Sequence, residues 1–267
     1  MVAALRVAPG SDPGLAQRDT RRLPGVEDKA AAKELLDQLT DRLDRLQARL
    51  FAENKRSVLL VLQGLDASGK DGVIRAVFTG VNPQGVRVVS FRAPTDTERA
   101  HDYLWRIHAA LPSRGEIGIF NRSHYEDVVA VRLHALAPEE VWSRRPGHIR
   151  EWERMLADEG TTLVKVFLNV SKEEQQQRLQ ERVDDPEKRW KFRTADLDVR
   201  RRFDDYVAAW NDVIAETSTE WAPWHVVPAD RNWVKSTAVA TLLAETLERL
   251  DPKLPEPEAG LDGLVIK

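Results

Sequence analysis

Short apolar runs and longer stretches of helical spacing alternate along this chain. The runs stand at 58–62, 85–91, 116–120, 161–170 and 224–227. Each is about as long as a strand, and a run with no polar break, such as 58–62, predicts a strand buried on both faces. Over 28–51, Leu36, Leu39, Leu43, Leu46 and Leu50 recur at steps of three and four with charge between them. That spacing predicts a long helix packed on its own domain. Thr95 and Glu98 have capping-box spacing and predict a helix running to about residue 111. A further helical pattern leads from about 126 to 156, Ser171 is a plausible N-cap before Glu173 and Glu174, and 235–250 reads as an amphipathic last helix. Residues 1–27 hold prolines, glycines and scattered charge and read as an arm outside the packed domain, and the tail 251–267 is punctuated by proline. The domain proper is then 28–250.

The run at 58–62 leads into Gly64-Leu65-Asp66-Ala67-Ser68-Gly69-Lys70, the spacing G-x4-G-K. Beyond Lys70 the chain is apolar at Val73, Ile74 and Val77, so strand, glycine turn and helix come in the order of a phosphate-binding loop. Glycines let the backbone wrap an anion, and the amides and the helix N-terminus supply partial positive charge. The candidate phosphate- or nucleotide-binding set here is Gly64, Ala67, Ser68, Gly69, Lys70 and Asp71. The usual loop places Ser or Thr after the lysine as a metal ligand, and this chain has Asp71. A hard cation wants oxygen ligands, so Asp66 inside the loop is a candidate for that duty; the plainer reading is that it braces the turn.

Two further places gather charge. After the run at 116–120 come Asn121 and Arg122, where many such proteins carry a metal-binding aspartate, and then Glu126 and Asp127. Arg122 could grip a phosphate with its planar fork. Glu126 and Asp127 could supply the missing metal carboxylate, or Asp127 could simply face solvent. The segment 175–203 carries Arg178 and Arg182 four apart on one helical face, then Lys188 and Lys191 beyond a proline. A charge run is often a solvated face, but a cationic helical hairpin is also what closes over phosphates and excludes water.

Composition narrows the field. The chain of 267 residues has no cysteine, which removes disulfides, thiolate metal sites and cysteine nucleophiles. No apolar run approaches the ~18 residues of a membrane span, and no secretory apolar region opens the chain, so a cytoplasmic protein is expected. A net charge of −3 argues against a nucleic-acid binder and requires any polyanion to be met by a local basic patch. Alternating strands and helices predict an α/β fold, here a P-loop kinase-like three-layer sandwich with a parallel sheet of about five strands and a helical lid.

Taken together, GLDASGKDG at 64–72, HDYLWRIH at 101–108, FNRSHYEDV at 120–128 and RLQERVDDPEKRWKF at 178–192 resemble the polyphosphate kinase 2 family. The resemblance implies reversible, Mg²⁺-dependent transfer of the terminal phosphoryl group of inorganic polyphosphate to AMP or ADP, with guanine nucleotides as further candidates. It implies a dimer or tetramer, catalytic roles for Asp66, Lys70, Arg122, Glu126, Arg178 and Arg182, and a metal held by Asp66 with Glu126 or Asp127. Asn121 and Glu126, where many members have Asp and Asn, resemble the subgroup acting on both nucleoside mono- and diphosphates. An ATP-dependent nucleotide kinase and a non-catalytic phosphate-binding protein remain as alternatives.

Overall fold

The five apolar runs are the strands β1 (Ser57–Gln63), β2 (Val86–Ser90), β3 (Ile117–Asn121), β4 (Thr161–Asn169) and β5 (Trp224–Pro228). In this computed structural model, which describes residues 1–259, 261, 264 and 266, they form one parallel sheet in the order β2-β3-β1-β4-β5. Central β1 is buried at every position, which accounts for its unbroken apolar composition. Its register with β3 sets Leu62 beside Asn121, so the two strands end side by side.

The helices come in chain order as α1 (Lys29–Glu53), α2 (Lys70–Phe78), α3 (Asp96–Arg99), α4 (Trp105–His108), α5 (Glu126–Leu133), α6 (Glu139–Trp142), α7 (Arg145–Asp158), α8 (Lys172–Asp184), α9 (Ala195–Arg201), α10 (Phe203–Thr217) and α11 (Asn232–Leu250). The Asp28 carboxylate caps α1 by accepting from the Ala30 and Ala31 amides. Leu39, Leu43 and Leu50 of α1 are buried, and α1 packs along α11, so the leucine seam serves its own domain. Among the described residues no helix is long and apolar enough to cross a membrane.

Four expectations need correction. The helix predicted over 95–111 is broken into α3 and α4: the Thr95–Glu98 capping box is present, but the Asp102 carboxylate accepts from the Leu104 amide (2.9 Å) and turns the chain between them. The pattern from 126 to 156 is split into α5, α6 and α7, with Pro138 just before α6 and Pro146 in the first turn of α7. Residues 1–27 are not an arm outside the domain. Val2, Leu5, Val7, Leu15, Leu23 and Val26 are buried. The Val7 amide donates to Trp224 O (2.9 Å), Asn169 Nδ2 donates to Leu15 O (2.9 Å), and the Asp230 amide donates to Thr20 O (2.9 Å). This segment covers the otherwise open edge of β5. It also packs on α11, which is therefore buried along most of its surface rather than amphipathic. Of the tail predicted at 251–267, residues 260, 262, 263, 265 and 267 lie outside the described residues.

Candidate active site

Gly64 to Lys70 turns the end of β1 into the start of α2, as the G-x4-G-K spacing predicts. Gly69 has φ +97°, and a side chain there would collide with the Lys235 ammonium. Lys70 lies inside the loop, with Nζ donating to Gly64 O (2.7 Å) and Leu65 O (3.4 Å). Burial, helped by the nearby Arg122 charge, brings its pKa down to about 8, although Asp66, Glu126 and Asp71 pull the other way. Ser68 Oγ is buried without a hydrogen-bond partner among the described residues, an orphan hydroxyl inside a loop whose geometry suits an anion.

Across the cleft, Arg122 directly follows β3 and has φ +63°. That left-handed backbone costs a non-glycine residue about 1–3 kcal/mol and collects at functional sites. The Arg122 amide is tied to Leu62 O (3.1 Å), so the strained residue is pinned to β1. Its guanidinium donates to Asp66 of the loop, and Nη1 stands 3.9 Å from Glu126 Oε1. Asp66, Arg122 and Glu126 thus lie together at the ends of β1 and β3, with buried Lys70 close enough to feel all three charges. Burial raises the Glu126 carboxyl, and Arg122 and Lys70 offset only part of it. With its amide turned so that both ends are matched, buried Gln63 donates to Glu126 Oε1 (3.1 Å) and accepts from Ser123 Oγ (3.0 Å).

The sequence model of the polyphosphate kinase 2 family matches residues 26–255, which is most of the chain. The chain belongs to the polyphosphate kinase 2 family. It is 57% identical over 239 residues to the AMP/ADP-polyphosphate phosphotransferase of Meiothermus ruber, covering 90% of each chain. It is 45% identical over 263 residues to the ADP-polyphosphate phosphotransferase of Rhodopseudomonas palustris, covering 94% of this chain and 91% of that one. The crystal structure of polyphosphate kinase 2 from Arthrobacter aurescens TC1 superposes with a TM-score of 0.93 at 43% identity, over 97% of this chain and 93% of that one.

In this polyphosphate kinase 2 chain the two departures from the common P-loop pattern meet each other. Asn121 Nδ2 donates to Asp71 Oδ1 (2.8 Å). An aspartate at 121 would set two carboxylates against each other there, whereas the amide ties the start of α2 to the end of β3. Neither residue predicts the other from spacing alone.

The lid residues divide. Arg178 does not reach over the loop but braces it from behind. Its Nη1 donates to Ala67 O (3.0 Å) and Ser68 O (3.2 Å), its Nη2 to Ala229 O (2.8 Å) and Asp230 O (2.5 Å), and its Nε to Glu174 (2.9 Å). Arg182 faces Asp196 of α9 (3.8 Å), whose carboxyl is raised by burial and by the Asp66 charge, so this pair hangs at the mouth. Lys188 pairs with Asp185 (2.7 Å) and Lys191 lies over the exposed Trp190 ring (5.2 Å); the structure does not bring either to the loop. Asp127 is also drawn away, held by Arg106 (3.3 Å).

One residue escaped the sequence reading. Lys235 of α11 is buried, with Nζ donating to Ser68 O (2.9 Å) and Ala229 O (3.3 Å). Burial and the neighbouring Arg178 charge lower its pKa to about 7. Two cations therefore hold the loop carbonyls from outside, while the Ser68 amide closes the loop on Leu65 O (3.0 Å). No motif spacing announces a lysine 165 positions beyond Lys70.

Among the described residues no three acidic or histidine side chains cluster as a metal cage. Asp66 and Glu126 nevertheless flank one guanidinium, a two-carboxylate arrangement. Mg²⁺ is commonly held by one or two carboxylates together with substrate phosphates and water, so these two residues fit it and Asp127 does not.

Proposed function

We propose that the chain is a polyphosphate:nucleotide phosphotransferase that moves the terminal phosphoryl group of inorganic polyphosphate to AMP and ADP, giving ADP and ATP, and runs in reverse. One observation carries the reading: a strained arginine and two carboxylates lie together at the ends of β1 and β3, close to the P-loop lysine, in a member of this family. A phosphate oxygen of the acceptor forms the new bond to the terminal phosphorus while the bridging P–O bond to the rest of the chain breaks. The electron pair and charge leave with the shortened polyphosphate. The attacking oxygen is already ionised at neutral pH, so no strong base is needed, and positioning with charge neutralisation suffices. Lys70 and the loop amides orient the donor, and Arg122, freed from Asp66, tracks the moving phosphoryl oxygens. Asp66 and Glu126 would hold Mg²⁺, which supplies further charge neutralisation when bound. The lid pair Arg182–Asp196 would close the mouth against water.

Purified protein incubated with Mg²⁺, AMP and polyphosphate, with no ATP added, is expected to form ADP and then ATP by chromatography. No product with AMP or ADP would overturn the reading in favour of an ATP-dependent kinase or a binding protein.

Lys70 also gives the reaction a pH dependence. In the free protein it begins to lose its proton near pH 8, and a bound phosphate chain restores the charge. Polyphosphate binding is therefore expected to take up a proton at pH 8.5, and affinity to fall as pH rises further. Calorimetry in two buffers of different ionisation enthalpy measures this, and equal heats in both would contradict it.

A further inference from the structure

A recess of about 730 Å³ lies along the flank of β5, between the N-terminal segment and the β5–α11 turn. Four arginines line it, Arg18, Arg21, Arg22 and Arg231, against two carboxylates, Asp19 and Glu27. The lining is net positive, although Asp230 beside it adds a third carboxylate. The Asp19 carboxylate is spent on its own turn, accepting from the Arg21 and Arg22 amides (2.7 and 3.2 Å). Arg18 is half-buried, yet among the described residues its guanidinium meets only the carbonyls of Pro13 (2.7 Å) and Ala4 (3.3 Å), and burial depresses its pKa. Arg231 lies over the Trp233 ring (5.5 Å). Arg21 faces Asp230 at 3.5 Å, and that carboxylate also accepts from Thr20 Oγ1 (2.7 Å) and the Ser171 amide (2.8 Å). Among the described residues, Arg18, Arg22 and Arg231 have no carboxylate partner. A half-buried guanidinium without a counter-charge, as at Arg18, is costly, and the exposed Arg22 and Arg231 on the same hollow add positive charge that suits an anion.

Its position suggests which anion. Arg231 directly succeeds Asp230, whose carbonyl is bonded to the same Arg178 that holds the P-loop at Ala67 and Ser68. The rim of the recess is thus one side chain away from the back of the loop. The recess is also built largely from the N-terminal segment, the part of the domain that lacks any P-loop role of its own.

We propose that this arginine-lined recess is a second anion site, and that it takes the phosphates of a long polyphosphate chain distal to the one being transferred. The inference rests on the donor reading given above. A short donor ends within the P-loop, whereas a long one continues past the β5–α11 turn and meets Arg22 and Arg231. The recess therefore selects for chain length and leaves the chemistry untouched.

The test is the double variant Arg22→Gln/Arg231→Gln, both exposed positions, assayed with long-chain polyphosphate and with tripolyphosphate. The KM for the long chain is expected to rise about tenfold, the size expected for the loss of charge-assisted contacts. The KM for tripolyphosphate, the KM for AMP and kcat are expected to stay at parent values, and the long-chain advantage of the parent to shrink with added salt. Equal shifts for both donors, or no shift for either, would overturn the proposal, as would a shift confined to AMP. A melting curve matching the parent guards against misfolding. If the parent uses neither donor, the donor reading has failed, and direct binding of long-chain polyphosphate to parent and double variant still decides the recess: unchanged affinity refutes it.

Discussion

Replacing Lys70 by Met is expected to lower kcat for phosphoryl transfer about a thousandfold, the scale of losing one preorganised charge donor in a closed site. The same change is expected to raise the melting temperature. Lys70 Nζ sits inside the loop on two carbonyls, and burial has brought its pKa from 10.5 to about 8. A lysine whose folded pKa lies below its unfolded one weakens the folded state wherever it is charged there, fully below pH 8, and the penalty fades as pH climbs from 8 to 10.5. Met fills a similar volume without that penalty. The variant should therefore melt above the parent at pH 7, and the gap should close toward pH 10. Activity and stability moving in opposite directions identifies a group kept for function at a structural cost. A variant retaining a tenth of parental kcat would remove Lys70 from the mechanism. A variant that melts lower at pH 7 would show that the two carbonyl contacts outweigh the desolvation.

All five strands were legible because a strand buried on both faces has to be apolar at nearly every position, as at Val58–Leu62. The P-loop was legible because its backbone path demands glycine where the spacing has it, at Gly64 and Gly69. The N-terminal segment was not. Val2, Leu5, Val7, Leu15, Leu23 and Val26 are buried without any repeating period, since the segment traces the contour of β5 and α11 instead of forming an element of its own. Arg178 was found by its spacing but given the wrong direction, because a helix face says where a side chain starts and not which carbonyls it meets. Lys235 left no signal at all, being one lysine in an otherwise ordinary helix. The Asn121–Asp71 bond joins positions 50 apart and emerges only once β3 lies beside β1. Apart from the N-terminal segment, what sequence misses here is a class of contact: polar side chains that brace the loop across long separations.

The largest expected loss of stability lies beneath the site, at Lys165→Met. Lys165 of β4 is fully buried, and its ammonium donates to Glu153 Oε2 (2.6 Å), Tyr125 OH (2.9 Å) and Thr217 O (2.7 Å). Tyr125 OH in turn donates to Glu153 Oε1 (2.7 Å). Burial alone would raise the Glu153 carboxyl, but Lys165 and His124 beside it hold it below the ordinary value, so it stays ionised. Removing Lys165 leaves that carboxylate in the core without its cation, which costs about 3–5 kcal/mol and, for a domain near this size, lowers the melting temperature by about 10 °C. Adding Glu153→Leu to Lys165→Met removes both charges, and the double variant is expected to recover most of the loss, because a well-packed apolar pair often matches a buried ion pair. Recovery of stability need not restore turnover. Tyr125 stands between Arg122 and Glu126 in the chain, and its hydroxyl loses Glu153 and Lys165 in the double variant, so the turn that aims Arg122 keeps its amide bond to Leu62 O but loses a support beneath it. Thermal unfolding and kcat measured on the single and double variants separate the two effects. Parental stability in Lys165→Met would mean that the network is no ion pair, and parental kcat in the double variant would mean that it does not hold the turn.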